Sequence, residues 1–198
     1  MTARSVRGVA GMMVGCALLL GATMAQAQML TGLKAAEPQP AADKLQPGLA
    51  VGYVFGRFNH IKEFDTKKFE PGKPLPQLDY RMGEGAVLTT KERDQVGALI
   101  TGFIRFEKPG TYGFDVTSND GVRVEIGGKL LYEDPSVHSD DTSDRIDVKI
   151  EEPGWYPIKI LYYEKKGTAS LVLRWVPVGS DAKAKPVAVP AAAFAHPK

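Results

Sequence analysis

Six stretches of this 198-residue sequence alternate apolar side chains with other residues at a period of two. In one of them, Val122, Val124 and Ile126 are separated by Arg123 and Glu125. This period places the apolar side chains on one face of a β-strand, whereas a helix would scatter them. The other stretches carry their apolar residues at Val51/Tyr53/Phe55, Tyr112/Phe114/Val116, Ile146/Val148/Ile150, Tyr156/Ile158/Ile160/Tyr162 and Leu171/Leu173/Trp175. We therefore expect an all-β fold, an antiparallel β-sandwich or barrel.

The segments between the strands favour tight turns. Gly127-Gly128 separates two alternating stretches and predicts a two-residue hairpin, because both central residues of the preferred turn need positive φ. Residues 165–168 (KKGT) predict a second hairpin in the same way. Residues 57–85 contain three prolines within six positions and are expected to form a long, partly irregular loop. The one modest helix candidate is residues 90–95.

Residues 1–27 have the pattern of a secretory signal peptide. Arg4 and Arg7 precede an apolar stretch, and Ala25-Gln26-Ala27 supplies small residues for cleavage after Ala27. The apolar stretch is short for a membrane span, which needs about 20 residues, so no span is expected after cleavage. Export to the periplasm or the extracellular space is the prediction. A lipoprotein modified at Cys16 and a retained N-terminal anchor are the less favoured alternatives.

Charge and cysteine content exclude several kinds of function. Arg4 and Arg7 are two of the 25 basic residues, so residues 28–198 carry 23 basic and 23 acidic side chains. This balance gives no reason to expect nucleic-acid binding, which rests on concentrated Lys and Arg. Cys16 is the only cysteine. The mature chain therefore has no disulfide, thiolate zinc site or cysteine nucleophile.

The composition divides the chain into four parts. After the signal peptide, residues 28–46 are rich in Ala and Pro and are expected to be a linker. Residues 47–178 hold the alternating stretches and form the β domain. Residues 179–198 are again rich in Ala and Pro, and we expect a disordered tail.

Sequence motifs of catalysis are absent. The sequence has no Gly-x-Ser-x-Gly elbow, no phosphate-binding loop and no His-Glu-x-x-His helix. Its many acids show no pattern that pairs two of them across a cleft, as a glycosidase requires. We expect a protein that is not an enzyme.

An ordered series of motifs resembles the PA-fourteen domain family, named after the N-terminal fragment of anthrax protective antigen. The resemblance begins at residues 48–53 (GLAVGY) and continues through residues 104–114 (IRFEKPGTYGF). It is strongest at residues 118–129 (SNDGVRVEIGGK), and it covers about residues 47–178. The resemblance implies an antiparallel β-sandwich or barrel that is mostly non-catalytic and whose commonest characterised activity is carbohydrate binding.

The resemblance also implies a candidate ligand site. In the yeast adhesin branch, two adjacent aspartates joined by a cis peptide hold a Ca²⁺ that coordinates sugar hydroxyls. Asn119 and Asp120 occupy these positions here, so Asn119 departs from the pattern and removes one negative charge. Calcium takes six to eight oxygen ligands, and residues 133–144 are the nearest acidic segment. With acids of that segment added, the predicted metal ligands are Asn119, Asp120, Asp134, Asp140 and Asp141; the alternative for residues 133–144 is a solvated surface loop.

Structural explanations compete with that site. Asn119, Asp120 and Gly121 also form a turn sequence, in which Asp120 would accept backbone N–H groups and Gly121 could require positive φ. The candidate ligand-binding residues are Asn119, Asp120, Gly121 and Trp155. The Trp155 ring is a candidate to stack on a sugar, although it could equally belong to the core. Trp175 is expected in the core. His138 is expected to be a surface residue or a local hydrogen-bond partner.

Two functions remain in competition. The first is an exported carbohydrate-binding module, with Ca²⁺ assistance at the Asn119-Asp120 loop as one mode of binding. The second is a cell-envelope interaction or scaffold domain that binds another protein and needs neither sugar nor metal. One fold hosts many functions, so the site must decide between them.

Overall fold

The computed structural model describes Met1 and residues 29–64, 66–181 and 183–198. Its strands are β1 (Met29–Leu30), β2 (Leu45–Pro47), β3 (Ala50–Phe55), β4 (Glu70–Pro71), β5 (Asp79–Gly83), β6 (Val96–Phe106), β7 (Gly110–Asn119), β8 (Val122–Ile126), β9 (Lys129–Asp134), β10 (Asp141–Thr142), β11 (Ile146–Ile150), β12 (Gly154–Glu164), β13 (Ala169–Val176), β14 (Val187–Ala188) and β15 (Phe194–Pro197). Short 3₁₀ helices span Ala42–Lys44, Ile61–Phe64 and Ala191–Ala193. Apart from Met1, the predicted signal peptide lies outside the described residues. In the described part of the chain, no helix is long and apolar enough to span a membrane.

Two sheets form the sandwich that the alternating stretches predict. The first has the order β1-β11-β7-β13-β14, with β10 also on β7 and β5 on β13. The second has the order β2-β15-β6-β12-β8-β9, with β3 on β6 and β4 on β3. Every described pair between these strands is antiparallel except the parallel pair of β1 with β11. The all-β fold class is confirmed.

Aromatic side chains fill the space between the sheets. The Phe106 ring, from the second sheet, lies 6.2 Å from the Phe114 ring and 6.1 Å from the Trp175 ring of the first sheet, centroid to centroid. Trp175 is buried, as expected, and also packs on Tyr112. Burial of apolar surface at this scale is the main favourable contribution to folding.

A second apolar cluster covers the outer face of β12 near its end. Leu161 and Tyr163 point away from the central core and pack with Phe58, Ile61 and Phe64. The strand therefore ends with both faces buried, which explains why residues 160–164 are buried at successive positions rather than alternating.

One hairpin prediction is confirmed and the other is wrong. Gly127 and Gly128, at φ of 56° and 74°, connect the paired strands β8 and β9. Residues 165–168 instead carry the chain from the second sheet to the first. Strand β12 pairs on its two edges with β6 and β8, and β13 pairs with β7 and β5. The two strands therefore cannot pair with each other as a hairpin.

Residues 57–95 also differ from the expectation. The segment from 57 to 85 is not one irregular loop, because it contains a 3₁₀ helix and the strands β4 and β5. Residues 90–95 form no helix. Gln95 has φ of 63°, outside the right-handed helical region, and its N–H group donates to Glu164 Oε2 at 3.0 Å.

Both flanking segments pack on the sandwich, which corrects the linker and disordered-tail predictions. In residues 28–46, Leu33 and Ala36 are buried, and the Ala36 N–H group donates to the Trp155 carbonyl. At the other end, β15 pairs with β6 and β2, and Phe194 is 2% exposed. An Ala- and Pro-rich composition hides this order, because the pairing partners lie far away in sequence.

Candidate functional site

Strand register brings four loops to one end of the sandwich. Asn119 at the end of β7 pairs with Ser170 near the start of β13, and Val122 of β8 pairs with both Tyr162 and Asp134. Glu164 and Phe55 both pair with Val96, so the segment before β6 lies at this end as well. We call residues 91–95, 119–121, 135–140 and 165–168 together the loop end.

The Asn119–Asp120 peptide bond at the loop end is cis. Its flanking groups are fixed by the adjacent strand β12. The Tyr162 hydroxyl donates to the Asn119 carbonyl at 2.7 Å, and the Asp120 N–H group donates to the Tyr163 carbonyl at 3.1 Å. The Tyr163 N–H group donates back to the Gly121 carbonyl at 3.0 Å. The turn is therefore held by hydrogen bonds to its main chain on both sides.

Gly121 is required because a side chain would not fit at this position, and not because of its φ angle. Its φ is not in the left-handed region, contrary to the turn hypothesis. A Cβ atom at this position would lie 2.5 Å from Cε1 of Tyr163 and 3.0 Å from the Pro135 carbonyl oxygen. The ring of Tyr163 is buried, so it cannot swing aside without disturbing the second apolar cluster.

The Asp120 carboxylate connects three of the four loops. It is 3% exposed, its Oδ1 accepts the His138 N–H group at 3.2 Å, and its Oδ2 accepts the Lys165 N–H group at 2.8 Å. Burial raises the pKa of Asp120, although these two hydrogen bonds act in the opposite direction. This geometry corresponds to the structural role predicted for Asp120, that of accepting backbone N–H groups.

Asn119 connects the loops through its side chain. Its Nδ2 donates to Asp140 Oδ1 and to Thr168 Oγ1, both at 3.0 Å. The Ser170 hydroxyl donates to the same Asp140 oxygen at 3.1 Å. Asp140 is exposed, whereas Asn119 is 4% exposed. The Asp140 carboxylate at the surface thus accepts hydrogen bonds from two neutral donors.

The five predicted metal ligands do not form one coordination shell. Asp134 lies beside His138, with 3.5 Å between Asp134 Oδ2 and His138 Nε2. Asp141 is exposed, and its Oδ1 accepts the Thr142 N–H group. Over residues 29–64, 66–181 and 183–198, no three His, Cys, Asp or Glu side chains are grouped so that they could hold a metal. Asn119 turns an N–H donor rather than its carbonyl oxygen toward Asp140, whereas calcium takes oxygen ligands. Calcium binding stays a prediction from the resemblance.

Trp155 lies at the opposite end of the sandwich. It is the second residue of β12, whereas Tyr163 is near the end of that strand, so about 26 Å of strand separates them. Its half-buried ring lies beside Arg105, with 5.7 Å from the guanidinium carbon to the ring centroid. The structure therefore does not bring Trp155 together with Asn119, Asp120 and Gly121.

The loop end carries a pocket that the sequence analysis missed. Its volume is about 660 Å³, and it is lined by Phe55, Gly56 and residues 91–95. The alternation predicts that Phe55 faces the core with Val51 and Tyr53, but Phe55 ends β3 and is 55% exposed. The sequence signal that would have found it is its position as the last apolar residue before Gly56-Arg57, where a strand leaves the core.

A buried carboxyl group is hydrogen-bonded to the segment that lines this pocket, through the N–H group of Gln95. Glu164 is fully buried, and its Oε1 has no hydrogen-bond partner in the part of the chain that the structure describes. Burial raises the pKa of Glu164 to about 7, the nearby Asp94 carboxylate adds to this rise, and the hydrogen bond from Gln95 opposes it. Asp94 also accepts the Gly167 N–H group at 2.7 Å, so residues 94–95 are attached to the segment that follows β12.

Comparisons with known proteins agree with this architecture. The PA14 domain family matches residues 77–187. The anti-sigma-I factor RsgI3 of Acetivibrio thermocellus is 28% identical over 119 residues, which are 60% of this chain and 18% of that protein. The chain thus spans less than a fifth of the length of this relative.

Two solved structures share the fold. The PA14 domain of the MpAFP antifreeze protein superposes with a TM-score of 0.62 at 21% identity, covering 81% of this chain and 96% of that one. The PA14 sugar-binding domain of an RTX adhesin gives a TM-score of 0.58 at 18% identity, covering 76% and 98%. The matched family and the two largely antiparallel sheets lead to one conclusion: the chain belongs to the PA14 domain family.

Proposed function

We propose that this protein is an exported, non-catalytic carbohydrate-binding module whose ligand contacts lie at the loop end. The observation that carries the proposal is the pocket formed by the exposed Phe55 ring and residues 91–95. Export rests on the predicted signal peptide.

The chemistry of the pocket suits a sugar ring. A pyranose has apolar C–H faces and hydroxyl groups around its edge, so its binding sites combine an aromatic surface with a few polar groups that fix orientation. Phe55 provides the aromatic surface, and Arg93 and Asp94 provide planar polar groups that line the same pocket. The hydrogen bond between Asp94 and Gly167 fixes one of these groups in advance, which lowers the entropic cost of binding.

The relationship to known proteins supports the same class of ligand. A sugar-binding domain of an adhesin shares the fold. The identity is low, so the fold alone does not supply the ligand. Binding of another protein at the cell envelope is the competing function. Glycan binding by the purified protein distinguishes between these two functions.

A glycan array probed with the full chain tests the proposal. We expect selective retention of a small set of glycans. Phe55→Ala should weaken binding about tenfold, which corresponds to the loss of one aromatic stacking contact. Leu130→Ala is the matched control, because Leu130 is 49% exposed and lies in β9 next to the Gly127-Gly128 turn, away from the loop end.

The outcomes discriminate between the functions. Wild-type binding that is weakened by Phe55→Ala and not by Leu130→Ala supports the proposal. Equal effects of the two variants would place the ligand elsewhere. A folded wild-type protein that retains no glycan, and that instead co-purifies with a specific envelope protein, would favour the interaction domain.

A further inference from the structure

The hydrogen bonds at Asn119 bear on whether the loop end needs a metal ion. The Asn119 amide group donates one N–H to the Asp140 carboxylate and the other to the Thr168 hydroxyl, each at 3.0 Å. These partners lie 21 and 49 residues away in the sequence, so the amide holds together three separate loops at this end of the sandwich.

A second aspartate at this position would meet a different environment. Its carboxylate would lie about 3 Å from the Asp140 carboxylate, and two anions at that distance strongly disfavour both being ionised. A cation between them would relieve the repulsion. In the wild-type chain, the partial positive charges of the amide hydrogens perform that task without a cation.

We propose that the Asn119 amide takes the place of a bound cation, so that the loop end of this protein keeps its structure without Ca²⁺. The Asp120 contacts agree with this inference. Both oxygens of the Asp120 carboxylate accept backbone N–H groups and the residue is 3% exposed, so Asp120 offers no free oxygen to a metal ion. The inference concerns metal and not sugar, so it stands or falls separately from the proposed function.

Thermal unfolding of the wild type and of Asn119→Asp in three solutions tests the inference. The melting temperature of the full chain is measured with excess EDTA, with CaCl₂, and with MgCl₂ at equal ionic strength as a control for screening. For the wild type we expect the same melting temperature in all three solutions. For Asn119→Asp we expect a lower value in EDTA, because repulsion between the introduced carboxylate and Asp140 replaces the hydrogen bond from the Asn119 amide to Asp140.

Calcium should then restore the Asn119→Asp variant. An ion that binds only the folded state, at about ten times its Kd, raises the melting temperature of a chain of this size by about 3–6 °C. The control Gln77→Glu adds one carboxylate at an exposed position and should not respond. The double variant Asn119→Asp/Asp140→Asn exchanges donor and acceptor, since the amide at position 140 can donate to the carboxylate at position 119.

The double variant keeps the test decisive if Asn119→Asp alone does not fold. It should melt near the wild type in EDTA and should not respond to Ca²⁺. A calcium-dependent rise of the wild-type melting temperature would overturn the inference. So would an Asn119→Asp variant that is unaffected by Ca²⁺, or a double variant that does not recover, because either result would mean that the amide does not occupy a cation's position.

Discussion

The Glu164 carboxyl group should make the protein less stable as the pH rises from 5 to 8. Replacing Glu164 by Gln should remove this contribution to the pH dependence of stability. The Glu164 side chain is fully buried, and its Oε2 accepts the Gln95 N–H group. The charged groups that face it are Asp94 and Asp120, and both add to the rise in the pKa of Glu164 that burial causes. Gln keeps an oxygen acceptor for Gln95 and carries no charge, so it mimics the protonated acid.

The magnitude follows from the pKa. Burial raises the pKa of Glu164 from 4.5 to about 7. Each pH unit between the unfolded and folded values is worth about 1.4 kcal/mol, so the complete effect is about 3 kcal/mol. Because the folded state prefers the protonated form, this stability is fully present below pH 4.5 and is lost as the pH rises through about 7. Between pH 5 and pH 8 the loss is about 2 kcal/mol.

Thermal unfolding at a series of pH values measures the effect. A loss of about 2 kcal/mol lowers the melting temperature of a chain of this size by about 4–8 °C. The difference between wild type and Glu164→Gln cancels contributions from other groups, including Asp120. The control Asp94→Asn should reduce the pH dependence without abolishing it, because it removes one of the neighbouring negative charges. Parallel curves for wild type and Glu164→Gln would mean that the folded protein does not raise the pKa of Glu164.

Three further predictions concern the loop end and the C-terminal strand. Asp120→Ala leaves the N–H groups of His138 and Lys165 without their acceptor and should cost about 2–4 kcal/mol in denaturant unfolding; a loss below about 1 kcal/mol would contradict the role of Asp120 as the acceptor that joins these loops. Gly121→Ala should cost about 1–3 kcal/mol through overpacking against the Tyr163 ring, and an unchanged unfolding midpoint would show that the ring can move. Phe194→Ala should cost about 3–5 kcal/mol by opening a cavity, whereas a variant as stable as wild type would mean that the C-terminal strand is not part of the core.

The alternating strands made the sandwich predictable, because burial on one face of a sheet imposes a period of two. The prediction failed where that condition changes. Residues 160–164 are buried on both faces of the sheet, because Phe58, Ile61 and Phe64 cover the outer face. Phe55 follows the same alternation as the buried residues of its strand, but it is exposed because the strand ends outside the core. Neither departure is visible in the local pattern, because each depends on which segment covers the strand.

Order in the C-terminal segment was unpredictable for a related reason. Composition alone indicated disorder in residues 179–198, but β15 gains its hydrogen bonds from β6 and β2, more than 80 residues earlier in the sequence. The short apolar run around Phe194 carries no periodicity of its own. Its strand structure depends on tertiary pairing, which a local reading of the sequence does not contain.

The position of the turn that holds Asn119 and Asp120 was predictable, but the pocket at Phe55 and the grouping of the predicted site residues were not. The resemblance located Asn119 and Asp120 at the turn after β7, where the structure places them. It also grouped Trp155 with them, although that residue lies at the other end of β12. The contact of Asn119 with Thr168 arises from the crossing of the chain between sheets at residues 165–168, which sequence spacing suggested to be a hairpin.

Binding of the full chain to a glycan array, compared between wild type and Phe55→Ala, tests directly whether the loop end binds carbohydrate. We expect wild type to bind a defined set of glycans, with or without EDTA. We expect Phe55→Ala to bind the same set about tenfold more weakly while melting at the same temperature. A folded wild-type protein that binds no glycan would contradict the proposal. So would a Phe55→Ala variant that binds the glycans as well as wild type does.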